Sequence, residues 1–505
     1  MIKNILLNSG SNVIVLFVKI AITFIMAPLL VRNLGNYDYG LWEMLGAVIG
    51  YMGMLDLGIK SAISRFTATY NAEHDELRLQ QIFFTAIVIL FAIAILLASV
   101  FATWAMYFSD SLGDGSTSPQ RYLFVGLILA AQFLFMFPGY VAEGTLEGLQ
   151  KYHYKNLITL INSVIGSVVL YTFITPQNGL VMLAAVNALG LSVKYVIYFA
   201  IIYQVSNRLL SPFVAAFNYK QGKELLVFGS KSLVQGLSHR IETATDSIVI
   251  GSILGPAAVP FYSIPANLVG YIRMVVWSAT HVLMPVFSDL LAKNDYEKVR
   301  ELYLEGSRVV VGLVMFLAIG VSFLGSDFIS IWIGVEYGNN AMLLIVILVL
   351  FSVFPLLNPF SNRLLMASNQ HAIVVKWAPI SAVLNLGLSI PLCYEFGIIG
   401  VAFGSLIPVG LLLVIYLNKC CSILNISVLK YVKESILPSI FPSLFMGINL
   451  YFLTNFRPID GYFLLMSYGL ISSVVFVITF ILFSLSGNQL RWLKQKISKI
   501  MIQSV

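Results

Sequence analysis

The chain lacks most of what a soluble enzyme is built from. Charged residues make up only 10% of its 505 positions, against about 25% in soluble proteins, and no stretch is polar enough to form a water-soluble domain. There is no phosphate-cradling G-x-x-x-x-G-K-[ST], so direct use of ATP is not expected. There is also no H-E-x-x-H and no nucleophile elbow, and the chain is not expected to be an enzyme. Cysteine is scarce: Cys393, Cys420 and Cys421 offer neither a disulfide framework nor metal-ligand spacing. No cofactor and no metal are expected. Met1 to Asn8 carries no cleavable signal pattern, and the first apolar run is too long for one, so it should stay as the first helix.

What the chain has is hydrophobic residues, at 59%. A spanning helix needs about 20 mostly apolar residues. Fourteen such spans are read at 9–32, 40–60, 82–108, 121–147, 156–176, 179–203, 225–253, 257–288, 307–332, 341–365, 371–394, 397–418, 431–453 and 461–486. Their apolar content is all-round rather than alternating, which argues for helices over a barrel. The fold class expected is an all-α polytopic membrane protein.

The formal charge of +7 is a matter of where the charges lie. With the N-terminus inside, 22 of the 30 lysines and arginines fall in cytoplasmic segments, and only Arg32, Arg121 and Arg457 in outer loops. That bias predicts an even number of spans with both termini cytoplasmic, and it explains the charge without a nucleic-acid partner. The longest outer loop, Ser109 to Gln120, has no room for an outer catalytic domain. Asp289 to Gly306 reads as a short charged surface helix. The tail after residue 486 has Leu490, Leu493, Ile497 and Ile500 at helical spacing among lysines, and reads as an interfacial amphipathic helix.

A weak internal repeat runs at an offset of 220. Leu34-Gly35 aligns with Leu254-Gly255, Trp42 with Tyr262, Gly50-Tyr51 with Gly270-Tyr271, Met54 with Met274, and Gln150 with Gln370. Six helices separate the copies, so both share one orientation. This predicts two six-helix lobes around a central cavity plus two C-terminal helices, a transporter architecture. The expected divisions are an N-lobe over 1–205, a cytoplasmic linker over 206–224, a C-lobe over 225–420, two further spans over 421–486, and a basic tail over 487–505.

Charges inside spans are costly and need a partner or a wet cavity. On helix seven, Lys231, Gln235, His239, Glu242 and Asp246 fall within about 80° of arc at 100° per residue. The stripe can line a lumen, or form a ladder of salt bridges between helices. Arg240 points away from it. Helix one shows Asn8, Asn12, Lys19 and Thr23, with Lys19 at the repeat position of His239. Helix eight carries Arg273 with Tyr262, Trp277 and Thr280 on one side. An arginine with aromatics suits a phosphorylated, sugar-bearing ligand; the alternative is a pair between Arg273 and a helix-two carboxylate such as Glu43. Glu242 and Asp246, one turn apart, could share a proton or hold a cation.

Asn33-Leu34-Gly35, Tyr39-Gly40-Leu41-Trp42, Leu55-Asp56-Leu57-Gly58-Ile59 with Arg65, and Gly144…Gly148-Leu149-Gln150-Lys151-Tyr152 resemble polysaccharide transporters of the Wzx type. These belong to the MOP superfamily, with lipid II flippases and MATE exporters. The resemblance implies a flippase in a bacterial inner membrane. It would move undecaprenyl-pyrophosphate-linked oligosaccharide, an O-antigen or capsule precursor of lipopolysaccharide type, to the periplasmic leaflet by alternating access. An ion gradient of protons or Na⁺ would drive it, as in an antiporter. Lys19, Lys231, His239 and Arg273 would form a cationic lumen, Tyr262, Trp277 and Asn12 its aromatic and polar lining, and Glu242 and Asp246 the coupling site. Asp56 and Glu43 would serve as gate or structural residues. Expected partners are the lipid-linked glycan, the coupling ion and membrane lipid, with a polymerase as a further candidate. A MATE-like exporter and a membrane-embedded glycan polymerase or ligase are the alternatives; the first would prefer an acidic cavity, the second a large outer loop.

Overall fold

The computed structural model describes residues 2–111, 119–205, 217–280, 283–339, 341–370, 372–487 and 489–491. Among them every regular element is helical: α1 (Ile2–Gly53), α2 (Ile59–Ala72), α3 (Glu76–Phe108), α4 (Pro119–Gly148), α5 (Tyr152–Phe173), α6 (Gly179–Val205), α7 (Tyr219–Leu254), α8 (Val259–Thr280), α9 (Leu283–Ala292), α10 (Tyr296–Trp332), α11 (Val335–Gly338), α12 (Met342–Leu356), α13 (Ser361–Ala367), α14 (Ala372–Ile423), α15 (Val428–Tyr431), α16 (Leu437–Phe456) and α17 (Tyr462–Phe483).

Eleven stretches of the described residues are long and apolar enough to cross a membrane, and thirteen of the fourteen spans read from sequence map onto them. α1 and α14, 52 residues each, are two spans joined end to end at Gly35 and Gly397, where the backbone leaves the helix. The remaining span falls on α7, 36 residues long, of which Ala244–Leu254 is apolar. One expectation is corrected. Asp289–Gly306 is not a separate surface helix, because Lys293–Asp295 is a tight turn and Tyr296 already begins the 37-residue α10. The linker residues 206–216 and most of the basic tail lie outside the described residues.

The chain separates into two compact units, Met1–Arg240 and Ile241–Val505, with the boundary inside α7. In the first, α4 is central and packs on α2, α3 and α6. Its glycines make this possible. A Cβ on Gly144 would sit 2.7 Å from the Lys60 carbonyl, and one on Gly148 2.6 Å from that of Ser64. Small residues four apart let helix backbones approach in lipid, where apolar burial alone gives helices little reason to associate. The α1–α2 corner makes a similar approach: a Cβ on Gly58 would strike the Gly229 carbonyl of α7, and one on Gly229 the Leu57 carbonyl.

In the second unit α10 packs on α8, α12, α16 and α17. Phe287, Tyr303, Phe360, Leu364 and Tyr431 form one buried cluster, and Met446, Leu450, Tyr468 and Phe476 another. Between α15 and α16 the chain makes one π turn, Val432–Ile436. Its cause is local. Pro438 has no N–H to give the carbonyl four residues back, and the Glu434 carbonyl instead accepts from Arg308 Nε at 2.5 Å.

The 220-residue offset is visible in backbone geometry within each unit. Gly35 has φ +69°, ψ 175°, and Gly255 has φ +91°, ψ 156°. Both lie in a region open essentially to glycine alone. A Cβ at either would meet nothing within 4 Å, so the backbone and not crowding requires glycine. A second pair is the turn before α3 and the turn before α10. His74 and Asn294 take φ +57° and +55°, and Asp75 and Asp295 cap the next helix by accepting from the amides of Arg78 and Lys298. Each main-chain hydrogen bond of the first turn, from Glu73 to Leu79, has its partner 220 residues on.

Candidate functional site: two repeat-related polar pockets

Each unit contains a polar pocket near the middle of its spans, and the two are built from equivalent positions. Trp42, Gly46, Ile49 and Gly53 on α1, with Gln132 on α4, line the first. Tyr262, Ala266, Val269 and Arg273 on α8, with Ser352 on α12, line the second. The contents differ. The first is a cavity of about 470 Å³. The second is reduced to about 40 Å³, because Arg273 stands where the first has Gly53.

The second pocket is closed upon itself. Asp246, buried on α7, accepts a short hydrogen bond from the Tyr262 hydroxyl. Ser405 of α14 lies 3.2 Å from the same carboxylate and is itself met by Asn385 Nδ2 at 2.8 Å. The Arg273 guanidinium lies over the Phe351 ring at 5.0 Å, a cation–π arrangement. A buried carboxylate survives only when hydrogen-bonded or paired, and here neutral hydroxyls meet it directly.

The first pocket is open and incompletely satisfied. Besides Trp42 and Gln132 it is lined by Tyr140 on α4, Asn187 on α6 and Arg240 on α7. Arg240 reaches it across Gly50, whose missing side chain leaves the space that the guanidinium fills, while the Arg240 carbonyl accepts from the Tyr51 hydroxyl at 3.3 Å. Gln132 Oε1 and Arg240 Nε are both buried without a hydrogen-bond partner. Orphaned polar atoms at this depth are uncommon and costly.

Gly53, Met54 and Tyr140 also line a neighbouring cavity of about 260 Å³ that extends to Asp56, Lys60 and Ser61. Asp56 builds the corner beneath it, accepting from the amides of Gly58 at 2.9 Å and Lys60 at 3.2 Å. The Lys60 ammonium lies 2.9 Å from Glu143 and 3.9 Å from Glu147; Lys155 lies 2.6 Å from Glu147 and 3.5 Å from Glu143. Two lysines thus share two carboxylates, and Lys194 rests over the Tyr195 ring at 4.3 Å.

Of the residues singled out in sequence, the structure brings Asp246, Tyr262 and Arg273 into one cluster. Trp277 is 60% exposed and lies outside it. Lys19 is exposed on α1. Glu43 shares a side-chain hydrogen bond with Tyr39, one turn back on the same helix. The side chains of Asn12, Lys231, His239 and Glu242 lie outside the described residues. Sequence reading passed over Gln132, Asn187, Asn385 and Ser405. The available signal was a lone amide or hydroxyl within an apolar run, as in LILAAQFLFMF. Among the described residues no three His, Cys, Asp or Glu side chains are grouped to hold a metal.

Residues 5–291 match the family described as polysaccharide biosynthesis protein. The chain belongs to that family. It is 23% identical over 404 residues to a protein of Salmonella typhi named as a proposed O-antigen transporter, covering 77% of this chain and 89% of that one. It is 21% identical over 209 residues, 41% of this chain and 44% of the other, to a Haloferax volcanii protein named as a prospective low-salt glycan biosynthesis flippase. Among solved structures it resembles the lipid II flippase MurJ in an inward closed conformation, with a TM-score of 0.65 and 16% identity over 95% of this chain and 98% of that one. It also resembles an inward-facing MATE transporter of the MOP superfamily, with a TM-score of 0.67 and 12% identity over 80% and 94%. The chain therefore shares the fold of these two structures.

Proposed function

We propose that this protein is a flippase for lipid-linked oligosaccharide. It moves an undecaprenyl-pyrophosphate glycan, of the kind used for O-antigen or capsule, from the cytoplasmic to the periplasmic leaflet of a bacterial inner membrane. Family membership over residues 5–291 carries the reading, and relatives named for O-antigen transport and glycan flipping support it. The physics is consistent. Sugars and a diphosphate cannot cross about 30 Å of hydrocarbon unaided. A bundle with polar pockets at mid-span offers them partners while the polyprenyl tail stays in lipid.

Transport in this reading proceeds by alternating access, driven by a proton or Na⁺ gradient. Asp246 is the coupling residue, with Glu242 one turn away on α7. Its support is chemical: a buried carboxylate met by a phenol and a serine hydroxyl is a group that can take up a proton or cation. Lys19, Lys231, His239 and Arg273 attract the diphosphate. In this reading both termini are cytoplasmic, which the distribution of lysine and arginine supports. No group in this reading forms or breaks a bond in the cargo.

Reconstituted vesicles test the proposal. Lipid-linked oligosaccharide placed in one leaflet should become accessible to a membrane-impermeant glycan oxidant on the other side, faster with protein than without. Equal rates would overturn it. Imposing a proton or Na⁺ gradient should accelerate flipping by the wild type but not by Asp246→Asn. An equal response in both would remove Asp246 from coupling.

A further inference from the structure

The pocket in the first unit presents a donor without an acceptor and an acceptor without a donor. Arg240 Nε is the donor and Gln132 Oε1 the acceptor. Gln132 is 4% exposed and sits near the middle of α4. A diphosphate would satisfy the guanidinium only, since an ionised phosphate oxygen has no hydrogen to give the amide oxygen. An ammonium compound would satisfy the amide only, and would be repelled by Arg240. Hydroxyls suit each of the two, because a hydroxyl both donates and accepts. Asn187 and Tyr140 add further groups of the same two-way kind, and Trp42 adds a flat aromatic face. Neutral two-way hydrogen-bonding groups beside an aromatic plane suit a pyranose ring, whose edge is hydroxyl and whose face is C–H. The volume, about 470 Å³, lies within the usual range of ligand pockets.

The repeat supplies an internal control. The equivalent pocket in the second unit holds its own occupants: Arg273 fills the place of Gly53, and the Tyr262 hydroxyl is committed to Asp246. The Ser352 hydroxyl, at the position of Gln132, is also buried without a partner, but only about 40 Å³ lies beside it; of these two pockets the first alone combines unpaired polar atoms with space for a ring. We propose that the pocket between Trp42, Gln132, Asn187 and Arg240 binds a sugar ring of the transported glycan, and so sets which glycan is accepted. This rests on the flippase reading above and adds a place where the cargo's carbohydrate is recognised apart from its phosphates.

The test compares two probes on detergent-purified full-length protein: lipid-linked oligosaccharide isolated from the producing cell, and undecaprenyl pyrophosphate without sugar. Wild type should bind the glycan-bearing lipid more tightly. Gln132→Leu, which leaves a sugar hydroxyl unpaired, and Trp42→Ala, which removes the aromatic face, should each weaken binding of that lipid about five- to tenfold. Binding of the bare lipid should not change. Trp42→Phe, which keeps an aromatic face, should retain most of the affinity. Melting temperatures within a few degrees of wild type would show that the variants are folded. Equal loss for both probes, or loss for neither, would overturn the sugar pocket while leaving the flippase intact. Wild type that binds neither probe would overturn the flippase reading itself.

Discussion

The two pockets are one design carried to different ends. At four equivalent positions of α1 and α8 the first unit places Trp42, Gly46, Ile49 and Gly53, and the second Tyr262, Ala266, Val269 and Arg273. The frame around them is unchanged: the same glycine-only bend precedes each helix, at Gly35 and Gly255. A pocket in a repeat protein is thus set by a few side chains on a shared backbone. In one copy Arg273 and the Asp246–Tyr262–Ser405 network fill most of the space, although the Ser352 hydroxyl, at the position of Gln132, is left without a partner. The other keeps unpaired polar atoms beside a cavity of about 470 Å³.

The sharpest way to break the contrast is to fill the open pocket as the closed one is filled. Gly53→Arg should abolish glycan export in cells that depend on this protein, while its amount in the membrane stays normal. Export at wild-type level would mean the cavity is not used. The reverse change, Arg273→Ala, should also stop export, and Lys at 273 should restore it only in part, for want of a planar fork. Unimpaired export by the alanine variant would make Arg273 structural.

Smaller effects separate a committed position from a free one. Tyr262→Phe removes the hydroxyl donor of a buried carboxylate and should cost about 1–3 kcal/mol of stability; Trp42→Phe should cost less, since no buried charge depends on the indole. Comparable melting temperatures would erase that distinction. Gly35→Ala and Gly255→Ala should each cost about 1–3 kcal/mol through backbone strain alone, equally in both halves. A large difference between them would show that the two bends do different things.

The smallest effect concerns the caps. Asp75→Ala and Asp295→Ala should lower the melting temperature slightly and by similar amounts. Hydrogen bonds from the Lys298 ammonium and amide hold Asp295 below its ordinary 3.8. A depressed carboxylate stabilises fully above its unfolded value and loses the contribution as pH falls through the folded one. The Asp295 cap should therefore fade only below about pH 3.8, and Asp295→Ala should match wild type there.

Most of the fold was legible because membrane helices announce themselves by length and all-round apolarity, and because charged turns separate them. The repeat was legible at Gly35 and Gly255, where a backbone requirement leaves a visible residue. What the sequence hid has two physical causes. Continuity across a turn is a matter of hydrogen-bond geometry, so Asp289–Gly306 read as a free-standing helix when it is a helix end, a turn and a helix start. Partnership is a matter of three dimensions. Nothing in the order of residues tells that Asp246 meets Tyr262 and Ser405, that Arg240 enters the first pocket, or that Gln132 has no mate there. A charge in an apolar run draws the eye, whereas a single amide does not, although at mid-membrane an unsatisfied amide is nearly as informative.

The meeting of Gly58 with Gly229 has an electrical consequence. Two backbones that exclude even a methyl group also exclude a file of water molecules, and without such a file protons and small ions have no path along that crossing. In a charged membrane so close a crossing resists the movement of charge along it. Adding one carbon at either glycine would force the α1–α2 corner away from α7.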